Sequence, residues 1–149
     1  MRVLLTVLLL SLIPQAWAGS WCSESYLGFI TVSRHIHPAR EYNEKHWGPY
    51  WRCSFSRDWS GQVGWYPNSY NRNTVYGLVN YLPWRWRDFQ FGGSFGAGTG
   101  YAEREDGSPK GGLSPIAGGL AVWEVDKNLR GGLFINTAVV AAIVEIRWR

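Results

Sequence analysis

The sequence predicts an all-β protein, an eight-stranded antiparallel barrel of the outer-membrane type. Three observations carry that expectation. An export signal opens the chain. Beyond it, apolar and polar or small residues alternate with a period of two over segments of about eight to twelve residues, the pattern of a wall with one greasy and one polar face. The composition joins ten Trp, eight Tyr and six Phe to eighteen Gly, as expected where aromatics sit at membrane interfaces and small residues face a crowded interior.

Residues 1–18 read as a signal peptide. Arg2 supplies a positive start, Val3 to Ile13 an apolar run broken at Pro14, and Ala16-Trp17-Ala18 a small-residue cleavage site. The run is too short to span a bilayer as a helix. The mature barrel domain is then residues 19–149, destined for the outer membrane. The formal charge is +4 and falls to +3 when Arg2 leaves. The arginines interleave with tryptophans (Trp84-Arg85-Trp86-Arg87 most densely), which fits anionic lipid head groups. Export argues against a nucleic-acid partner. No Cys/His spacing resembles a metal site, and no cofactor is expected. Cys22 and Cys53 could pair in an oxidising periplasm. Alternation, however, turns Cys53 toward lipid, so the expectation is a barrel that needs neither cysteine to fold.

The strands follow in order. In the first, Ile30, Val32 and Ile36 are expected outward, with Phe29, Thr31, Ser33, His35 and His37 inward. The second, from Tyr50 to Arg57, turns Trp51, Cys53 and Phe55 out and Arg52 in. The third runs from Gly61 to about Tyr66 and the fourth from about Thr74 to Leu82. Between them, residues 67–73 form a loop by composition, and Pro83 to Arg87 a turn. The fifth, Phe89 to Gly100, alternates most cleanly: Phe89, Phe91, Phe95 and Ala97 face out, and Gln90, Gly92, Ser94, Gly96 and Gly98 face in. A polar loop over 103–112 leads to strands at Pro115–Trp123, Arg130–Thr137 and Ala141–Trp148. In the last, Glu145 faces inward. A charge inside a small barrel needs a counter-charge, and Arg52 is the expected partner.

Candidate chemistry gathers in three patches. His35 and His37 offer inward imidazoles near the outer rim. An ordinary interior histidine, hydrogen-bonded to a lumenal neighbour, is one reading, and a general base is the other. Ser69 follows Asn68 in a loop, where Asn-Ser is common turn chemistry but also a possible nucleophile. The third patch is Arg40 to Gly48. An eight-stranded barrel is just wide enough to be filled or to hold one ligand, and Gly92, Gly96, Gly98 and Gly119 are expected to leave lumenal space for it.

In combination these patches resemble the PagP-type lipid A palmitoyltransferases, small eight-stranded outer-membrane barrels. Tyr42-Asn43-Glu44-Lys45 with Trp47-Gly48 is similar to that family's Tyr-Asn-Glu-Arg-Pro-Trp-Gly segment. Asn68-Ser69-Tyr70-Asn71 is similar to its Asp-Ser-Trp-Asn, Gly96 to Gly100 to its Gly-Phe-Thr-Ala-Gly strand, and Leu113-Ser114-Pro115 to its Pro-Leu-Pro. The resemblance implies transfer of an acyl chain from a phospholipid donor to a lipid A acceptor, by a membrane-embedded monomer. It places Ser69 and His35 (preferred over His37) as catalytic residues, with Asn68 at the position of the family's aspartate. It also associates proline-interrupted strands such as that at Pro115 with lateral lipid entry. The sequence departs from the family at Asn68, at His46 in place of proline, and in lacking room for an N-terminal amphipathic helix. Asn68→Asp, restoring the family residue, is expected to preserve or raise activity. A related lipid A deacylase, or a non-catalytic barrel that binds lipid or a surface partner, is the alternative.

Overall fold

In a computed structural model, residues 21–36, 43–44, 47–103 and 110–148 are described. The expected signal peptide, His37, Tyr42, Lys45, His46 and the centre of the 103–112 loop lie outside them. Eight antiparallel strands close in sequence order: β1 (Glu24–His35), β2 (Gly48–Ser54), β3 (Trp59–Pro67), β4 (Asn73–Trp86), β5 (Phe89–Thr99), β6 (Leu113–Glu124), β7 (Leu129–Ile135) and β8 (Val139–Trp148). β1 pairs with both β2 and β8, which closes the ring.

The outer wall is apolar. Val63, Val75, Phe95, Leu133 and Ile146 stand exposed on it, an arrangement water would penalise and lipid would not. Aromatic residues crowd the rim that holds the β2–β3, β4–β5 and β6–β7 turns. There Trp59 stacks on Tyr81 at 4.4 Å between centroids, Trp84 on Phe91 and Trp86 on Phe89 at 6.0 Å each.

β1 differs from its expected parity. A register shift lies between Ile30 and Val32, and the Thr31 hydroxyl caps the irregularity by donating to the Ala142 carbonyl at 3.1 Å. Such a bulge inserts one residue and reverses the facing of the residues beyond it. Phe29 therefore points out and Ile30 lines the interior, the opposite of the expected assignment, whereas Ser33 and His35 point in.

β4 runs past its expected end. Pro83 is not in a turn but in a second register shift, between Tyr81 and Trp84, where a missing N–H costs the ladder least. The Leu82 amide donates to the Asp58 carbonyl at 2.8 Å, and Arg85 pairs with Asp58 at 2.7 Å. The turn falls at Arg87-Asp88, Arg87 adopting φ 53°.

Inside, the half toward the aromatic rim is filled by polar groups. Arg52 and Glu145, 2% and 0% exposed, meet at 3.0 Å between Nε and Oε1, the pairing expected from sequence. Tyr50 donates to Glu145 at 2.9 Å, Arg52 to Gln62 at 3.1 Å, and Gln62 to the Tyr76 hydroxyl at 2.9 Å. Gly28 makes this possible, because a Cβ there would collide with the Tyr50 ring that crosses β1 to reach Glu145. Nearer the rim, Arg130 pairs with Glu124 at 2.7 Å and stacks over Tyr26 at 4.2 Å.

One pairing that strand facing had disfavoured is present. Cys22 and Cys53 form a disulfide. Cys53 does lie on the outward side of β2, but Cys22, just before β1, reaches the same side, since Ser25 is the register partner of Cys53. With a sequence separation of 31, the chain-entropy account gives a contribution on the order of 3–4 kcal/mol. Cys22→Ser with Cys53→Ser, or reductant alone, should shift the urea midpoint of folding in lipid vesicles downward by a matching amount. An unchanged midpoint would show that barrel closure alone sets stability.

Candidate active site

The chemistry-bearing residues meet at the end of the barrel opposite the aromatic rim. His35 is the last residue of β1. Ser69 lies in the β3–β4 loop, two strands away in the wall. The Ser69 hydroxyl and His35 Nε2 are 3.0 Å apart, within reach of direct proton transfer. The bulge in β1 is what aims the imidazole inward. Without it, the parity set by outward Phe29 would point His35 away from the lumen.

The loop carrying Ser69 is held by Asn68, which is fully buried. Its Oδ1 accepts from the amides of Tyr70 and Arg72 at 2.9 and 3.0 Å, while its Nδ2 donates to the Thr74 hydroxyl at 3.1 Å and the Gly100 carbonyl at 3.0 Å. Asn71 completes the turn at φ 57°, a left-handed conformation that asparagine tolerates. Both ends of the Asn68 amide are thus committed to backbone and Thr74. These four bonds hold the loop that carries Ser69.

This reverses the expectation for Asn68→Asp. A carboxylate has no hydrogen to give Gly100 or Thr74, and would set an oxygen against the Gly100 carbonyl. Leaving such buried groups unmatched costs about 1–3 kcal/mol. We expect Asn68→Asp to lower the midpoint of urea unfolding and to loosen the Ser69 loop rather than raise activity. An unchanged midpoint with higher activity would sink this account.

Two residues of the third patch fasten the site by their backbone. The Asn43 amide donates to the Ser69 carbonyl at 3.1 Å and the Ser33 amide to the Glu44 carbonyl at 3.2 Å. The His35 amide also donates to Glu44 Oε1 at 3.2 Å. The Asn43-Glu44 pair therefore ties the end of β1 to the Ser69 loop. The motif is visible in the sequence but its mechanical role is not, since main-chain bonds leave no signature in residue type.

Beneath the pair lies a cavity of about 960 Å³, at the upper end of the roughly 300–1,000 Å³ typical of ligand sites. Its walls are Ile30, Leu78, Ile116, Leu120, Phe134 and Ile143. Arg52, Gln62 and Ser94 form its polar base, and His35, Ser69, Tyr66, Tyr70 and Tyr101 its mouth. Tyr101 was not singled out from sequence, yet its hydroxyl meets that of Tyr66, which belongs to the same Tyr66-Pro67-Asn68-Ser69-Tyr70 stretch as Ser69, at 2.6 Å. Burial pushes the Tyr101 phenol up from its ordinary value, so it stays protonated at neutral pH. The loop position of Tyr101 gave no signal.

The glycines expected to open this space are used differently. A Cβ at Gly92 or Gly96 would strike the carbonyl of Tyr81 or Gly77 on β4. These two permit close, curved strand packing, and neither borders the cavity. Gly98 is packed between Ile116, Thr74 and Tyr76. Gly119 does border the cavity, but at its side: it pairs with outward Ile135, and Gly118 is the inward residue. Bulky walls and sparse filling of the upper lumen, not a row of inward glycines, leave the room.

The wall has a lateral break. β6 pairs with β7 only from Gly119–Ile135 down to Glu124–Arg130, although β6 continues up to Leu113 along β5. Ser114, Pro115, Ile116, Ala117 and Gly118 on one side, and residues 136–139 on the other, line the cavity across this gap. Pro115 sits within the unpartnered stretch, where it has no N–H to offer a ladder.

Fold and site together define an eight-stranded barrel of the outer-membrane type with a hydroxyl–imidazole pair over a lumenal cavity. Among solved structures it is similar to a barrel from the de novo design of transmembrane β-barrels, at 18% identity over 85% of this chain and 97% of that one, with TM-score 0.53. It is also similar to the Yersinia pestis outer membrane protein Ail in a phospholipid bilayer nanodisc, at 12% identity over 84% and 99%, with TM-score 0.52. No protein-family model and no curated protein matches the sequence. At these identities the likeness concerns the fold.

Proposed function

We propose that this protein resides in an outer membrane and is an acyltransferase of the kind its motifs resemble, moving an acyl chain from a phospholipid to lipid A. The observation that carries the reading is the 3.0 Å contact between Ser69 Oγ and His35 Nε2 at the mouth of a cavity with apolar walls and a lateral break. An acyl chain entering between β6 and β7 would lie in the lumen with its ester at the mouth. Ser69 Oγ attacks the ester carbonyl as its proton passes to His35 Nε2. The imidazolium returns that proton to the departing lysophospholipid hydroxyl, leaving the acyl group on Ser69. A lipid A hydroxyl then attacks the acyl-serine, His35 again taking and returning the proton.

The engagement of Asn68 with its own loop favours the second reading, a barrel that binds lipid or a surface partner without catalysis. In it, no carboxylate braces the imidazole from position 68. Incubating the folded protein with radiolabelled-acyl phospholipid and lipid A, then resolving labelled lipid A, decides between them. Transfer that depends on Ser69 supports the enzyme. Absence of transfer by the wild-type chain leaves the binding barrel.

A further inference from the structure

A second lipid-sized feature lies on the outside of the wall. Register puts Val32, Ala142 and Leu133 in one row across β1, β8 and β7, and Arg34, Val140 and Ile135 in the row above it. Val32, Leu133 and Arg34 are exposed on the outer surface. The small Ala142 between Val32 and Leu133 leaves a groove of about 480 Å³ that runs past Val140 to Arg34. Among the described residues, the Arg34 side chain makes no ion pair or hydrogen bond. Arg34 is not the last outward residue of its strand end: Ile36, also exposed, lies beyond it. A guanidinium set between apolar neighbours on a lipid-facing wall gains from an anion that meets it.

We infer that this groove seats one anionic membrane lipid with a terminal phosphate, an acyl chain lying along Ala142 between Val32 and Leu133 and the phosphate against Arg34. The apolar channel and the Arg34 guanidinium at its head have the layout of such a lipid. A guanidinium accepts a phosphate through two parallel hydrogen bonds. Ser33 and His35 border both this groove and the cavity under Ser69, but the seat proposed here does not depend on the transfer reaction.

The test is native mass spectrometry of the folded full-length mature chain in neutral detergent, titrated with dioleoyl phosphatidic acid, dioleoyl phosphatidylcholine or inorganic phosphate. Folding of every variant is checked by its gel shift without heating. The wild-type barrel should hold one phosphatidic acid in preference to phosphatidylcholine. Arg34→Gln should weaken that adduct about tenfold, the equivalent of one charge-assisted contact. Ala142→Leu, which fills the groove, should weaken it independently. Arg34→Lys should retain part of it, and Arg87→Gln, at the opposite rim, all of it. Equal losses in Arg34→Gln and Arg87→Gln, undiminished binding in Arg34→Gln, displacement of the lipid by inorganic phosphate, or no preference over phosphatidylcholine would each overturn the assignment. Should Ala142→Leu fail to fold, the contrast of Arg34→Gln with Arg34→Lys and Arg87→Gln decides alone.

Discussion

On the proposed acyltransferase function, replacing Ser69 or His35 with alanine is expected to lower acyl transfer to lipid A by at least the ~10²–10⁴-fold that general-base help supplies, with the barrel still folded. Ser69→Ala removes the nucleophile itself, so its loss should be the larger. His35→Ala leaves a hydroxyl with no acceptor at 3.0 Å to take its proton. Because the two groups act on one proton, the double variant should be no worse than Ser69→Ala alone. Both side chains are only partly buried at the cavity mouth, so truncation there removes little packing. The unheated gel shift and a strand-dominated circular dichroism spectrum should persist. Single variants that keep full transfer would dismiss the pair as the reacting groups.

The largest effect on stability is expected from Arg52→Ala. The guanidinium and the Glu145 carboxylate meet at 3.0 Å with almost no exposure. Removing one partner strands a buried charge, which costs about 3–5 kcal/mol. Tyr50 would still donate to Glu145, one neutral hydrogen bond in place of a full counter-charge. Urea titration of the barrel in lipid vesicles measures this, and Glu145→Gln with Arg52→Gln tests it from the other side. Replacing both charges by amides should recover a large part of the loss, since neither member is left ionised and alone. An Arg52→Ala barrel as stable as wild type would mean that lumenal water satisfies the carboxylate.

Much of the fold was legible because alternation at period two is a local property, dictated by a wall with lipid on one side. The inward Arg52 and Glu145 could be matched without any structure, since two buried charges of opposite sign in one small lumen have few alternatives. By the family resemblance, His35 and Ser69 could be selected as the groups able to do chemistry. What local pattern could not show was where alternation breaks. The bulge at Thr31 exchanges the facing of Phe29 and Ile30, and nothing in Phe29-Ile30-Thr31-Val32 marks it, because apolar residues are acceptable on either face. Pro83 read as a turn, since proline's missing N–H excludes it from regular ladders but not from a bulge within one. The disulfide was misjudged because facing was read for Cys53 alone. Whether Cys22 reaches the same side depends on how β1 registers against β2.

The sequence by itself determined an antiparallel barrel with an apolar exterior and a charged, paired interior, which follow from residue type and spacing because burial and charge neutralisation constrain both directly. His35 and Ser69 came forward as the catalytic candidates only through the family resemblance. Only the tertiary structure decided that Ser69 stands 3.0 Å from His35, that Asn68 holds the loop that carries Ser69, and that β6 parts from β7 above Gly119. Those facts rest on strand register and on hydrogen bonds between residues distant in the chain. A change of one residue in register turns a side chain to the opposite face, so they are fixed when the barrel closes.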